Sequence, residues 1–414
     1  MGAFIQRRLA NGLQVCLEPL PHLPSAACGF LVRTGSRDEV AGEEGLSHFL
    51  EHMCFKGTRT RSAVEINQAF DRLGSQYNAY TSAERTIYYG WVPAEKLPAQ
   101  AALLAEMMRS TMTAEDFATE KEVILEEIAQ YRDSLMSSLY EKAMAQLFAG
   151  SPLAHSVLGY PETIAPLPRE RMLAYHARRY GAENLVFVAA GQFDPEPLIA
   201  HVEALTADWG RGEGGRNQPR PTPRPGRLVE ETTRFTQQGM TLSVPGPAGR
   251  GGDLRPGMLS RILSGDNSRI YWEIQQRGLC PSAGIYYQPF SDAGLFVLYG
   301  LGDPERMPAV LDALREQARR MTVDGPTDDE LQRVKNNVRT SLATDGDSPM
   351  SRLLQLVEDL ETLGTPKTLE EHLGRVEAIT VESIRELLAE YPLTAEGFLA
   401  TMGPPAAGAE TPPA

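Results

Sequence analysis

Pro93-Ala-Glu-Lys-Leu-Pro98 follows two strand-like runs, 76–80 and 85–91, and opens an amphipathic helical segment. The arrangement recurs later in the chain as Pro304-Glu-Arg-Met-Pro308, with runs at 283–289 and 294–300 before it and a second amphipathic segment after it. A block that returns with its surroundings is the mark of a duplicated structural unit. Each copy leads on to a threonine before an acidic helix start, Thr113-Ala-Glu-Asp116 and Thr327-Asp-Asp-Glu330, residues that cap a helix N-terminus and suit its dipole. Each half then closes on an apolar run that reads as a strand, 184–191 and 397–403.

Between the halves lies a stretch too rich in Gly and Pro to sustain a helix or a central strand, residues 210–227. The expected organisation is a domain over 1–209, this linker, a homologous domain over 228–403 and a Pro- and Ala-rich tail over 404–414 that frays. The fold class expected is α+β, as two homologous domains that each pack an antiparallel sheet under helices.

Composition narrows the function classes. With 42% hydrophobic and 23% charged residues, the chain is neither disordered nor collagen-like, and it can bury a large core. Its 40 Lys and Arg against 54 Asp and Glu leave a net charge of −14, which argues against nucleic acid as a ligand. No apolar run reaches the roughly 18 residues that could span a bilayer, and the start of the sequence lacks a signal-type apolar core, so a cytoplasmic home and no membrane partner are expected. Four cysteines without paired spacing, Cys16, Cys28, Cys54 and Cys280, are read as free thiols.

The chemistry concentrates in Gly45-Leu-Ser-His48-Phe-Leu-Glu51-His52-Met-Cys-Phe55. On a helix, His48, Glu51 and His52 share one face. Two imidazoles one turn apart can bind one Zn²⁺, and the glutamate between them then lies near the reacting water without being a ligand. The plain alternative is a surface helix carrying incidental His and Glu; with only seven histidines in the chain, a chance His-x-x-Glu-His is rare.

A catalytic zinc site needs a third protein ligand. The segment Thr119-Glu120-Lys-Glu122-Val-Ile-Leu-Glu126-Glu127-Ile128 offers four carboxylates. Glu120 and Glu127 share a face, whereas Glu122 and Glu126 project elsewhere. Taken alone, a run like this is ordinarily a solvated acidic surface.

These residues resemble the inverzincin, or pitrilysin-type, metallopeptidases, a family that includes insulin-degrading enzyme and the mitochondrial processing peptidase. The likeness covers nearly the whole chain. It is carried by Gly45 to Thr58, by Glu127 at the family's spacing, by Gly74-Ser-Gln-Tyr-Asn78-Ala79-Tyr80-Thr81-Ser82 with the following Ala-Glu-Arg-Thr-Ile-Tyr88, and by Val157-Leu-Gly159-Tyr-Pro-Glu-Thr-Ile164. The resemblance implies that His48, His52 and Glu127 bind zinc and that Glu51 is the general base toward the attacking water. It implies a supporting role at the site for Glu120. It also implies that Asn78, Ala79, Tyr80 and Thr81 form an edge strand to which an extended peptide substrate adds by backbone hydrogen bonds.

The chain departs from the family pattern in its second half. Aligned through the repeat, Val334 stands where the first half has Glu120 and Ser341 where it has Glu127, and the segment 259–265 carries no histidine. The second domain is therefore expected to be scaffold. Active members carry an arginine and, a little further on, a tyrosine that assist substrate and oxyanion; here those places fall on Ile274 or Gln275 and on Pro281, although Arg277 survives nearby. Loss of an oxyanion donor typically costs about 10²–10³ in rate.

The expected partner is thus a homologous subunit that supplies the Arg and Tyr pair, in a heterodimer. The runner-up is a homodimer that is weakly active or uses Tyr286 or Tyr287 instead. The family closes its chamber with four such domains, of which this chain has two. The expected function is a zinc endopeptidase acting on short or unfolded peptides in that chamber; the alternative is a non-catalytic assembly subunit of the same fold.

Overall fold

The computed structural model describes residues 4–216 and 218–406, so of the expected tail 404–414 all beyond Pro405-Ala406 lies outside the described residues. Among the described residues eleven strands form two sheets. The first holds β1 (Ile5–Arg8), β2 (Gln14–Pro19), β3 (Ser25–Val32), β4 (Gln76–Thr81), β5 (Thr86–Pro93) and β6 (Leu185–Gly191) in the order β1-β2-β6-β3-β5-β4. The second holds β7 (Gly226–Glu231), β8 (Gln238–Gly246), β9 (Ser282–Pro289), β10 (Gly294–Gly302) and β11 (Phe398–Gly403) in the order β7-β11-β8-β10-β9. Without β1, the two orders are the same topology, each antiparallel except for one parallel pair, β2 with β6 and β7 with β11. The runs that precede the repeated proline segments are β4 and β5 in one sheet and β9 and β10 in the other.

Two compact units result. One comprises Met1–Ala129, His155–Gln218 and Ala343–Lys367; the other comprises Gln130–Ala154, Pro219–Leu342 and Thr368–Ala414. Each half of the chain thus lends a helical segment to the unit built mainly from the other.

The first unit shows why such a loan is needed. Alternate residues of a strand face opposite sides of the sheet. Along β3, Ala26, Cys28, Phe30 and Val32 join the main core beneath the helices Leu46–Met53 and Leu97–Met107, while Ala27 and Leu31 face the other way. β6 is apolar at every position, so both faces of this sheet need cover. The second face is sealed by Leu353, Leu356, Val357 and Leu360 on the helix Pro349–Thr362. At about 1.5–3 kcal/mol for each fully buried side chain, that face is a major part of the unit's stability. In the second unit the helix Leu135–Leu147 does the same for β8 and β11, and Gly239 leaves room for Met136 and Leu139 to lie on the strand.

A buried ion pair fixes the lent helix in place. Arg352 donates from Nε and Nη2 to the two carboxylate oxygens of Glu18 on β2, at 2.9 and 2.8 Å, and both residues are buried. Breaking such a pair on one side strands a charge and costs about 3–5 kcal/mol, whereas replacing both partners by apolar groups is close to neutral. Arg352→Ala is therefore expected to lower the urea midpoint strongly, and the double variant Glu18→Leu/Arg352→Met to recover most of it. A double variant as unstable as the single one would show that the pair's geometry, not the stranded charge, sets the cost.

Among the described residues no helix is long and apolar enough to cross a membrane.

Candidate metal centre

The helix Leu46–Met53 carries the two histidines, and its position is determined at its N-terminus. Gly45 is left-handed, with φ 93°, and a side chain there would collide with the backbone of Leu158 and Gly159. Gly159, itself at φ 75°, packs back against Glu44 and Gly45. Two separated glycine-bearing segments thus meet backbone to backbone, which no larger residue permits. Below them Glu39 accepts the Gly45 and Ser47 amide protons at 2.8 and 2.6 Å and supplies the buried cap that Gly45 cannot. Burial pushes the Glu39 carboxyl well up, against the pull of those two amides.

The second helix, Ala114–Arg132, meets the first through a stack of Phe49 on Phe117, with ring centroids 4.8 Å apart. On that helix Phe117, Glu120, Ile124 and Ile128 are buried and Glu127 is half-buried, while Glu122 and Glu126 are exposed. Helical period and aromatic stacking together aim Glu120 and Glu127 at the histidines.

His48, His52 and Glu127 come together, with one ligand atom from each lying within 4.8 Å of the others. Glu127 Oε1 lies 3.7 Å from His48 Nε2, and its Oε2 lies 3.5 Å from His52 Nε2. The edge of a tetrahedron around zinc with ligands at 2.0–2.1 Å is about 3.4 Å, so the three side chains are spaced closely enough to share one ion. The fit extends to the second layer. His52 Nδ1 lies 2.8 Å from Glu120 Oε1, and Glu120 Oε2 lies 2.5 Å from Lys56 Nζ. This chain turns the His52 ring so that Nε2 faces the centre, the usual means of orienting a metal-binding imidazole. His48 has no such support: its Nδ1 is buried without a partner among the described residues, and its ring is held edge-on to His52 at 4.7 Å.

The electrostatics divide the two imidazoles. Burial, aided by the neighbouring His52, pushes His48 down to about 3, so it is neutral and its approach to Glu127 is not an ion pair. His52 is pulled down by burial too, but the bond to Glu120 and the charges of Glu127, Glu120 and Glu51 outweigh this and raise it. Glu120 is held low because the His52 and Lys56 bonds overcome its burial. Glu51 is raised by burial, partly offset by a hydrogen bond from Thr81 and by His52.

Of the strand residues singled out from the sequence, Asn78, Ala79, Tyr80 and Thr81 all lie on β4, one of the two edge strands of its sheet. Asn78 Oδ1 accepts the Ala79 amide proton at 2.9 Å. Thr81 turns inward to Glu51, with Oγ1 2.6 Å from Oε2. Sequence reading did not find Glu39, which sits in an irregular loop segment with no period to read. It also passed over Lys56, although Lys56 follows His52 by four residues.

Among the described residues, the equivalent place in the second unit holds no such group. Val334 is buried in the core, Ser341 is exposed, and the helix Arg255–Leu263 has Leu259, Ile262 and Leu263 buried.

Two imidazoles and a carboxylate, with a further glutamate beside them, are the donor set that hydrolytic zinc sites use. Two family models match the chain in succession, Insulinase (Peptidase family M16) over residues 14–160 and Peptidase M16 inactive domain over 166–338. The chain belongs to peptidase family M16. It is 33% identical over 409 residues to an uncharacterized zinc protease of Mycobacterium tuberculosis (strain ATCC 25618 / H37Rv), covering 96% of this chain and 92% of that one. It is 30% identical over 401 residues to the uncharacterized zinc protease YmxG of Bacillus subtilis (strain 168), covering 95% and 97%. Its fold is similar to the crystal structure of a protease from Helicobacter pylori, with a TM-score of 0.90 at 21% identity over 98% of this chain and 100% of that one.

The Glu120 bridge carries a prediction. Loss of a residue that orients a metal-binding histidine typically costs about 10–100-fold in metal affinity. Glu120→Ala is expected to weaken zinc binding by that amount in a chelator competition titration, with the melting profile of the metal-free protein little changed. Wild-type affinity in the variant would show that packing alone orients His52.

Proposed function

We propose that this chain is a zinc-dependent endopeptidase that hydrolyses short or unfolded peptides in a chamber closed by a second, homologous subunit. The observation that carries the reading is the convergence of His48, His52 and Glu127 on one point, with Glu51 beside them. Bound there, zinc would supply Lewis-acid polarisation of the scissile carbonyl and make water a nucleophile near neutral pH. Glu51 takes the proton from the attacking water and returns it to the leaving amine; its burial raises its basicity for that task. Glu120 and Lys56 keep His52 oriented. The outer edge of β4 pairs with an extended peptide, which selects for unfolded substrate without demanding one sequence.

The second unit supports the need for a partner. Ile274 is fully buried in the core, Gln275 donates to the Ala283 carbonyl at 2.8 Å, and Pro281 leads into β9. These places serve structure. Arg277 is exposed and paired with Glu273, and the Tyr287 hydroxyl donates to the Pro247 carbonyl at 2.8 Å. A homologous subunit bearing the arginine and tyrosine restores what this chain lacks. The assembly-subunit reading is disfavoured because such a subunit has no need of all four of His48, Glu51, His52 and Glu127.

Glu51→Gln is expected to leave zinc bound, by elemental analysis, and to reduce cleavage of a quenched-fluorescence peptide by about 10²–10⁴-fold. Cleavage at the wild-type rate would remove Glu51 from the base role. Co-purification from the native source is expected to recover a homologous subunit, and its addition to raise turnover by about 10²–10³-fold. High turnover by the isolated chain would overturn the heterodimer.

A further inference from the structure

Among the described residues, the proposed base receives one side-chain hydrogen bond. It comes from Thr81, the last residue of the strand proposed to receive substrate: Oγ1–H donates to Glu51 Oε2 at 2.6 Å. The neighbouring Thr86 hydroxyl, 3.3 Å away, gives its own proton to the Thr34 carbonyl at 2.9 Å. Of the two oxygens that can accept the Thr81 proton, Glu51 Oε2 at 2.6 Å is much the nearer, so the single proton goes to the carboxylate in a short hydrogen bond.

The anchor stands on a rigid base. Thr81 pairs directly with Thr86 across β4 and β5, and Thr86 in turn pairs with Val32 of β3, so its backbone is held from the sheet interior. Thr86 is fully buried, and close by lie Tyr88 and Tyr180, also buried, with their hydroxyls bonded to each other at 2.9 Å. On the other side Glu51 is fixed by its own helix, between the two histidines. One carboxylate oxygen is thus tied to the sheet, and among the described residues no hydrogen bond engages Oε1, the oxygen left for proton transfer.

The geometry points to Thr81 as a positioning residue that orients Glu51 and ties the base to the edge strand on which the peptide docks. This rests on the peptidase reading. A peptide that adds to β4 pairs with the strand that carries the anchor, so docking and base placement share one mechanical element. A reacting group misplaced by about 1 Å can cost on the order of 10² in rate, whereas the backbone edge that binds substrate is untouched by removing a hydroxyl.

The test uses the zinc-loaded chain, together with its partner subunit where turnover requires one. Thr81→Val keeps the shape and removes the hydroxyl; Thr81→Ala removes it without crowding; Thr81→Ser keeps it. Valine and alanine are expected to lower kcat by about 10–100-fold, with KM, zinc content and melting temperature unchanged, and serine to restore most of kcat. Wild-type kcat in both hydroxyl-free variants, a loss confined to KM, or a serine variant as impaired as valine would overturn the positioning role. Wild type and Glu51→Gln run alongside separate the two claims. A wild type no faster than Glu51→Gln overturns the peptidase reading and the inference with it, whereas an active wild type matched by Thr81→Val overturns the inference alone.

Discussion

The carboxylate of Glu39, closed off from water and bonded to the amides of Gly45 and Ser47, ends the helix on which His48, Glu51 and His52 stand. A helix N-terminus buried without such partners would leave amide protons unsatisfied, at a cost of about 1–3 kcal/mol each. Here the cap comes from outside the helix, because the preceding residue must be a glycine to let Gly159 approach. The angle at which the histidines enter the site follows from that junction. The Phe49 and Phe117 stack then sets the second helix against the first, and the bridge from Lys56 through Glu120 sets the ring of His52.

The two sheets show what duplication preserves and what it releases. Strand order, the one parallel pair and the turn before each long helix are shared, because both sheets must bury two apolar faces. Among the described residues the side chains around the candidate metal centre have no counterpart in the second unit, where Val334 fills the core in place of a carboxylate. Packing tolerates that exchange readily; chemistry does not. The fold is thus retained by its core, and the site depends on a handful of polar residues that the core does not require.

Much of this was legible in the chain itself. The Pro93 and Pro304 segments mark the repeat because prolines punctuate helix starts, and His48 and His52 mark a candidate ligand pair because four residues make one turn. The same period places Glu120 and Glu127 on one face, yet it leaves both as candidates for the third ligand: a face is local information, and distance to another helix is not. The roles of Glu39, Lys56 and the Thr81 hydroxyl were not legible for the same reason, since each acts on a residue brought near only by packing.

The sequence by itself determined the elements, their duplication and the donor set, because each depends on residues close along the chain. Tertiary structure alone decided which helix covers which sheet. The amphipathic segment Pro349–Thr362 offers an apolar stripe that would suit either sheet by composition; the buried pair of Arg352 with Glu18 and the second apolar face of β3 and β6 assign it to the first. Tertiary structure also decided that Glu51 is tied to the edge strand, a link between residues 51 and 81 made through one proton. Periodicity is local and fixes faces; partners across a long loop are chosen by burial and by the need to satisfy every polar group that burial removes from water.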